Sequence, residues 1–87
     1  MRSLILKKVQ PRYPEEARKK RIKGSVVMRA IISREGDIQE LTVISGDPIL
    51  AEAALQAGRQ WKYKPYLLQG QPVEIESQIT MNFDFPE

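Results

Sequence analysis

The sequence contains no cysteine and no histidine. Without cysteine, neither a disulfide nor a thiolate zinc site can brace the fold. Without histidine, the commonest general base is gone, and so are the Ser-His-Asp and Cys-His pairings and the imidazole metal ligands. Catalysis would have to rest on carboxylates or lysines alone. Long apolar runs are missing too. Leu4-Ile5-Leu6 is the longest near the start, far short of the roughly 20 residues a membrane helix needs. No signal peptide is readable, and a cysteine-free composition suits cytosol and periplasm alike.

What is present is enough for one small core. The chain has 87 residues, 41% hydrophobic and 29% charged, which is the composition of a single globular domain. Its net charge of +3 is unevenly spread. Residues 1–23 carry nine cations against Glu15 and Glu16, a net +7, whereas residues 24–87 carry a net −4. That asymmetry raises the question of an attraction to phosphates or anionic lipid.

The basic segment has structural punctuation. Pro14 suits the first position of a helix, Glu15 and Glu16 complement the positive end of the helix dipole, and Lys19, Lys20 and Arg21 the negative end. With Gly24 as the C-terminal cap, the pattern predicts a short helix over 14–22, with Ala17 and Ile22 facing the core. The β-branched run SVVMRAIIS (25–33) predicts a largely buried strand. In REGD (34–37), Gly36 supplies the positive φ of a tight turn, and IQELTVIS (38–45) returns as the second strand of a hairpin. Asp47 and Pro48 then open a helix whose Leu50, Ala54, Ala57 and Trp61 share one face, with Ala53 beside them. Pro65 prevents continuation, and LLQGQP (67–72) reads as a loop. Finally, VEIESQITMNFDF (73–85) alternates cleanly. Val73, Ile75, Ile79, Met81, Phe83 and Phe85 lie on one side, with Ser77 as the polar exception, and Glu74, Glu76, Gln78, Thr80, Asn82 and Asp84 on the other. The order helix, strand, strand, helix, strand predicts an α+β fold in two layers, a small antiparallel sheet of about three strands with two helices on one face.

Several constellations have both a functional and a plain reading. Glu74 and Glu76 can pair as acid and base or hold a cation, but no further ligand converges on them, and a solvated strand face explains them. The cations from Arg18 to Lys23 can track a phosphate backbone, and they also suit the end of a helix. WKYKPY (61–66) interleaves aromatics with lysines as a single-strand binder does, although strand spacing puts Trp61 and Tyr63 in the core with Lys62 and Lys64 outward. The long last strand, placed at a sheet edge, is either blunted by its acidic residues or a rail for an extended peptide.

Taken together, QPRYP (10–14), Ala17, KGSV (23–26), Gly36, VISG (43–46), LAEAAL (50–55), WKYKP (61–65), GQPV (70–73) and Phe83 resemble the C-terminal domain of TonB-family energy transducers over residues 9–85. A single Ser45-Gly46 stands where many members have a longer turn, and Asp47-Pro48 replaces the more usual acidic pair. The resemblance implies that residues 1–8 are the end of a spacer and 9–87 the domain. It also implies a membrane anchor and a proline-rich spacer upstream, and so a periplasmic tip on an inner-membrane protein. Such a tip pairs with the TonB box of TonB-dependent outer-membrane transporters, while ExbB and ExbD supply motion derived from the proton gradient. Uptake of iron-siderophores, vitamin B12 or other scarce nutrients is the usual outcome. Neither a cofactor nor a nucleic-acid partner is implied, and homodimers by strand exchange are. Carried over residue by residue, Gln10, Pro11, Tyr13 and Pro14 match the segment next to the transporter plug. Val73, Ile75, Ser77, Ile79, Met81 and Phe83 match the strand that accepts the box.

Overall fold

The computed structural model describes residues 5–84. In chain order its elements are β1 (Ile5–Lys7), α1 (Glu15–Lys19), β2 (Gly24–Ile32), β3 (Ile38–Ser45), α2 (Pro48–Gly58), β4 (Lys62–Tyr63), β5 (Tyr66–Leu68), β6 (Gln71–Val73) and β7 (Ile75–Phe83). The main sheet has the order β3-β2-β7, antiparallel throughout. β2 is central because both of its edges are paired, and its Val26, Met28, Ala30 and Ile32 are buried while Ser25 and Arg29 stay exposed. The β2–β3 ladder shifts register twice, whereas β2 and β7 pair without a shift from Gly24↔Phe83 to Ile32↔Ile75.

α2 covers the apolar face of this sheet. Asp47 caps it, its Oδ1 accepting from Ile49 N at 2.9 Å, with Pro48 in the first turn. Leu50, Ala51, Ala54 and Ala57 are buried beneath it. The small side chains bring the helix close: a Cβ added at Gly58 would meet Leu41 Cδ2 at 2.8 Å. Burying Met28, Ile32 and Leu50 contributes about 1.5–3 kcal/mol each. Trp61 and Tyr63 complete the core; Trp61 does so from beyond the end of α2 at Gly58, not from the helix face expected for it. Lys62 instead reaches Asp37 at 2.5 Å, and Lys64 is exposed.

Four features differ from the sequence expectation. The first helix runs only from Glu15 to Lys19, with Pro14 as its N-cap residue rather than its first helical one. It ends because Arg21, not Gly24, takes the left-handed position at φ 54°. Ile22 N then bonds Ala17 O at 2.8 Å and Arg21 N bonds Arg18 O at 3.2 Å, which satisfies the last carbonyls. Gly24 opens β2 instead. Second, the long last strand is two: β6 pairs with β5, β7 pairs with β2, and Glu74 lies between them because the ladder partner changes there. Val73 therefore belongs to the small sheet, and Phe85 lies outside the described residues. Third, the expected loop is a hairpin turning at Gln69 and Gly70, both at positive φ, the geometry of a type I′ turn. Fourth, β1 pairs with β4 through Ile5↔Tyr63 and Lys7↔Lys62, an element the sequence did not announce.

Candidate functional site

The alternation in the last strand fixes what its two faces do. Ile79, Met81 and Phe83 are buried and Ile75 and Ser77 are half-buried, all on the side of the helices. Their side chains anchor β7 against the core. Burial pushes the Tyr63 phenol above its ordinary value, with the Ser77 side chain pulling the other way. The opposite face carries Glu76, Gln78, Thr80 and Asn82, all exposed. A strand added at the edge of β7 would set its side chains alternately beside both faces, with these four, absent from the sequence-derived set, as neighbours on the solvent side. Period-two reasoning already separated them from the core, but it did not say which side matters to a partner.

Among the described residues no strand other than β2 pairs with β7, so β7 is an edge strand with one line of backbone donors and acceptors turned outward. The segment Gln10–Pro14 approaches its Phe83 end. Tyr13 packs edge-on against Phe83, centroids 5.7 Å apart and planes at 85°, and its hydroxyl donates to the Ile22 carbonyl. Its phenol is raised first by loss of solvent and then by the Asp84 carboxylate, with Arg18 opposing. Gln10 is exposed, while Pro11 and Pro14 are half-buried. Thus the structure brings Gln10, Pro11 and Tyr13 together with Met81 and Phe83, whereas Val73 stands beyond the other end of β7 in a different sheet.

The basic cluster is built around α1. Lys19 lies 3.7 Å from Glu15 and Lys20 3.3 Å from Glu16, both exposed pairs one helical turn apart, each contributing a few tenths of a kcal/mol at most. No group of three acidic side chains stands close enough to hold a metal ion among the described residues. Nor is any helix there long and apolar enough to cross a membrane.

Residues 9–85 match the family described as Gram-negative bacterial TonB protein C-terminal. The chain belongs to that family. It is 39% identical over 83 residues to Protein TonB of Vibrio cholerae serotype O1, covering 93% of this chain and 34% of that protein. It is 32% identical over 82 residues to Protein TonB of Klebsiella pneumoniae, covering 92% and 31%. The chain thus spans about a third of the length of these two relatives. Among solved structures, the solution NMR structure of the Pseudomonas aeruginosa TonB CTD superposes with a TM-score of 0.79 at 24% identity, over 95% of this chain and 86% of that one. This likeness bears on the fold and agrees with a TonB C-terminal domain built of antiparallel strands and two helices. Membership places the chain in a family of non-enzymatic domains.

Proposed function

We propose that this TonB C-terminal domain is the partner-binding tip of an energy transducer, and that it docks the TonB box of outer-membrane transporters as an added strand on the outer edge of β7. The observation that carries the reading is the place of β7: last in its sheet, nine residues long, and anchored by Ile79, Met81 and Phe83 in the core. Pairing through the backbone supplies grip and tolerates varied side chains in the box. In this reading Gln10, Pro11, Tyr13 and Pro14 lie next to the transporter plug. Val73, Ile75 and Ser77 lie along the far part of the dock. ExbB and ExbD engage the protein upstream of this domain. The domain works in the periplasm as the C-terminal part of an inner-membrane-anchored protein, passing on work derived from the proton gradient for nutrient uptake, iron-siderophores included. A strand-exchanged homodimer would use the same edge.

The test is an amide NMR titration with a TonB-box peptide from a transporter of the same organism. Saturable shifts along β7 and around Gln10–Tyr13 are expected. The same peptide N-methylated at the alternate amides that face β7 loses its donors to the strand and is expected not to bind, whereas methylation of the other alternate set is expected to leave binding in place. A flat titration with the folded monomer would overturn the docking role and leave the family fold standing.

A further inference from the structure

One stretch of the chain departs from the general pattern of charge. Pro65 to Val73 holds no charged residue, in a sequence that is 29% charged. Charge resumes at once on either side, at Lys64 and at Glu74. This stretch is the β5–β6 hairpin, a two-stranded sheet separate from the β3-β2-β7 sheet. Tyr66 pairs with Val73, Leu67 with Pro72 and Leu68 with Gln71, so Tyr66 and Leu68 share one face while Leu67 and Pro72 share the other. The domain covers neither face. Every residue from Lys64 to Pro72 is exposed, and Tyr66, Leu67 and Leu68 are 43%, 58% and 58% open to solvent. Burying a leucine is worth about 1.5–3 kcal/mol, and most of that gain is left unused here. Exposed apolar clusters of this kind mark contacts with protein or with membrane.

The hairpin's own chemistry decides between the two. A protein surface laid against it meets one face, whereas Leu67 and Leu68 point to opposite faces, and a bilayer boundary surrounds both. A stable protein interface, a second copy of this chain included, buries about 800 Å² on each side, far more than two strands of three residues offer. The order of side chains also suits lipid. The Lys64 ammonium and the Tyr66 phenol adjoin one another at the base, where an amphipathic ring and a snorkelling cation meet headgroups, and the leucines follow. With the β5 side downward, Tyr66, Leu67 and Leu68 enter the acyl boundary, and β6 with Gln71 stays about 4.8 Å higher. We infer that the β5–β6 hairpin is a membrane-contact site, entering the headgroup boundary of a lipid bilayer through Tyr66, Leu67 and Leu68. Lys64 and Glu74 cancel at its base, so apolar burial drives the contact and anionic lipid is not required. Hairpin and β7 belong to different sheets, so this contact stands or falls apart from docking at β7.

The experiment measures co-sedimentation of the domain with vesicles of phosphatidylcholine alone and of phosphatidylcholine mixed with anionic phosphatidylglycerol. Amide spectra with a spin-labelled lipid then locate the contact. Two variants are compared: Leu67→Ser with Leu68→Ser, at exposed positions outside the core, and Lys19→Glu with Lys20→Glu, which reverses charge on α1. The unaltered domain is expected to partition onto both vesicles to a similar extent, with broadening confined to Tyr66–Val73. The serine variant is expected to lose at least about tenfold in partition, and the charge-reversed one to match the unaltered domain. Absence of partition onto either vesicle overturns the inference. So does partition that the serine variant retains in full. Partition confined to anionic vesicles and lost on charge reversal makes α1 the contact, and broadening that spares Tyr66–Leu68 in the unaltered domain excludes the hairpin without any variant. Hairpin shifts that grow with protein concentration in the absence of lipid assign these faces to a second copy and overturn it too.

Discussion

At the scale of single residues, two turn positions carry opposite lessons. Arg21 ends α1 in the left-handed region at φ 54°, where a side chain costs about 1–2 kcal/mol. Arg21→Gly is expected to stabilise the domain by up to about 1 kcal/mol, part of the gain being offset by the freer unfolded chain; the midpoint of urea unfolding reads this. Gly36 is the converse. At φ 92° its added Cβ would stand 1.9 Å from the Tyr63 carbonyl oxygen, and its own carbonyl accepts from Tyr63 N at 2.8 Å. Gly36→Ala is expected to cost at least about 2 kcal/mol in the same assay, because conformation and contact fail together. Tyr63 also gives a pH dependence. Burial raises its phenol above the ordinary 10.0, so on raising the pH the unfolded chain releases this proton first. The contribution is fully present below about pH 10 and is lost as pH rises through the folded value. Tyr13 shifts in the same direction, so Tyr63→Phe is expected to flatten the alkaline loss of stability in part, measured by denaturant unfolding between about pH 9 and 11.

At the scale of elements, what was legible followed local chemistry. The cap and first turn of α2, the turn at Gly36 and the two faces of β7 are each determined by residues within a few positions of one another. α1 was overextended because its end is set by where Ile22 must return to the core, with Ala17 O waiting for its N–H, and no residue type at position 21 announces this. The β5–β6 hairpin was hidden for a related reason. Gln69 stands at φ 52°, where hairpins favour asparagine, and Pro72 sits inside β6. Gln69→Asn is therefore expected to slow amide exchange across Tyr66–Val73 and to add a few tenths of a kcal/mol to stability. β1 was illegible altogether, because its pairing with β4 spans most of the chain and rests on tertiary contacts alone. The same holds for the candidate site. Its alternation could be read directly, but the position of β7 at an edge depends on the strand order, which no local pattern encodes.

At the scale of the whole molecule, the charge imbalance sorts itself around α1, and its two i,i+4 ion pairs account for part of it. Peptide affinity is expected to change less than about threefold between about 50 and 200 mM salt, whereas a ligand tracked by four phosphate contacts would lose about a hundredfold over that range; isothermal titration at both salts separates the two. The chain extends over 49 × 22 × 18 Å, and its two kinds of ladder have mechanical meaning along that length. β2 and β7 share nine consecutive pairs with no slip in register, so tension applied along β7 loads every rung in shear at once. β1 and β4 share two, and a pull on the chain entering at Ile5 takes these one after the other, as a zipper opens. Under a load between that entry point and a strand held on β7, the short ladder yields while the long one holds. With a partner strand docked on β7 as proposed, the short ladder acts as a fuse that gives way before the long one.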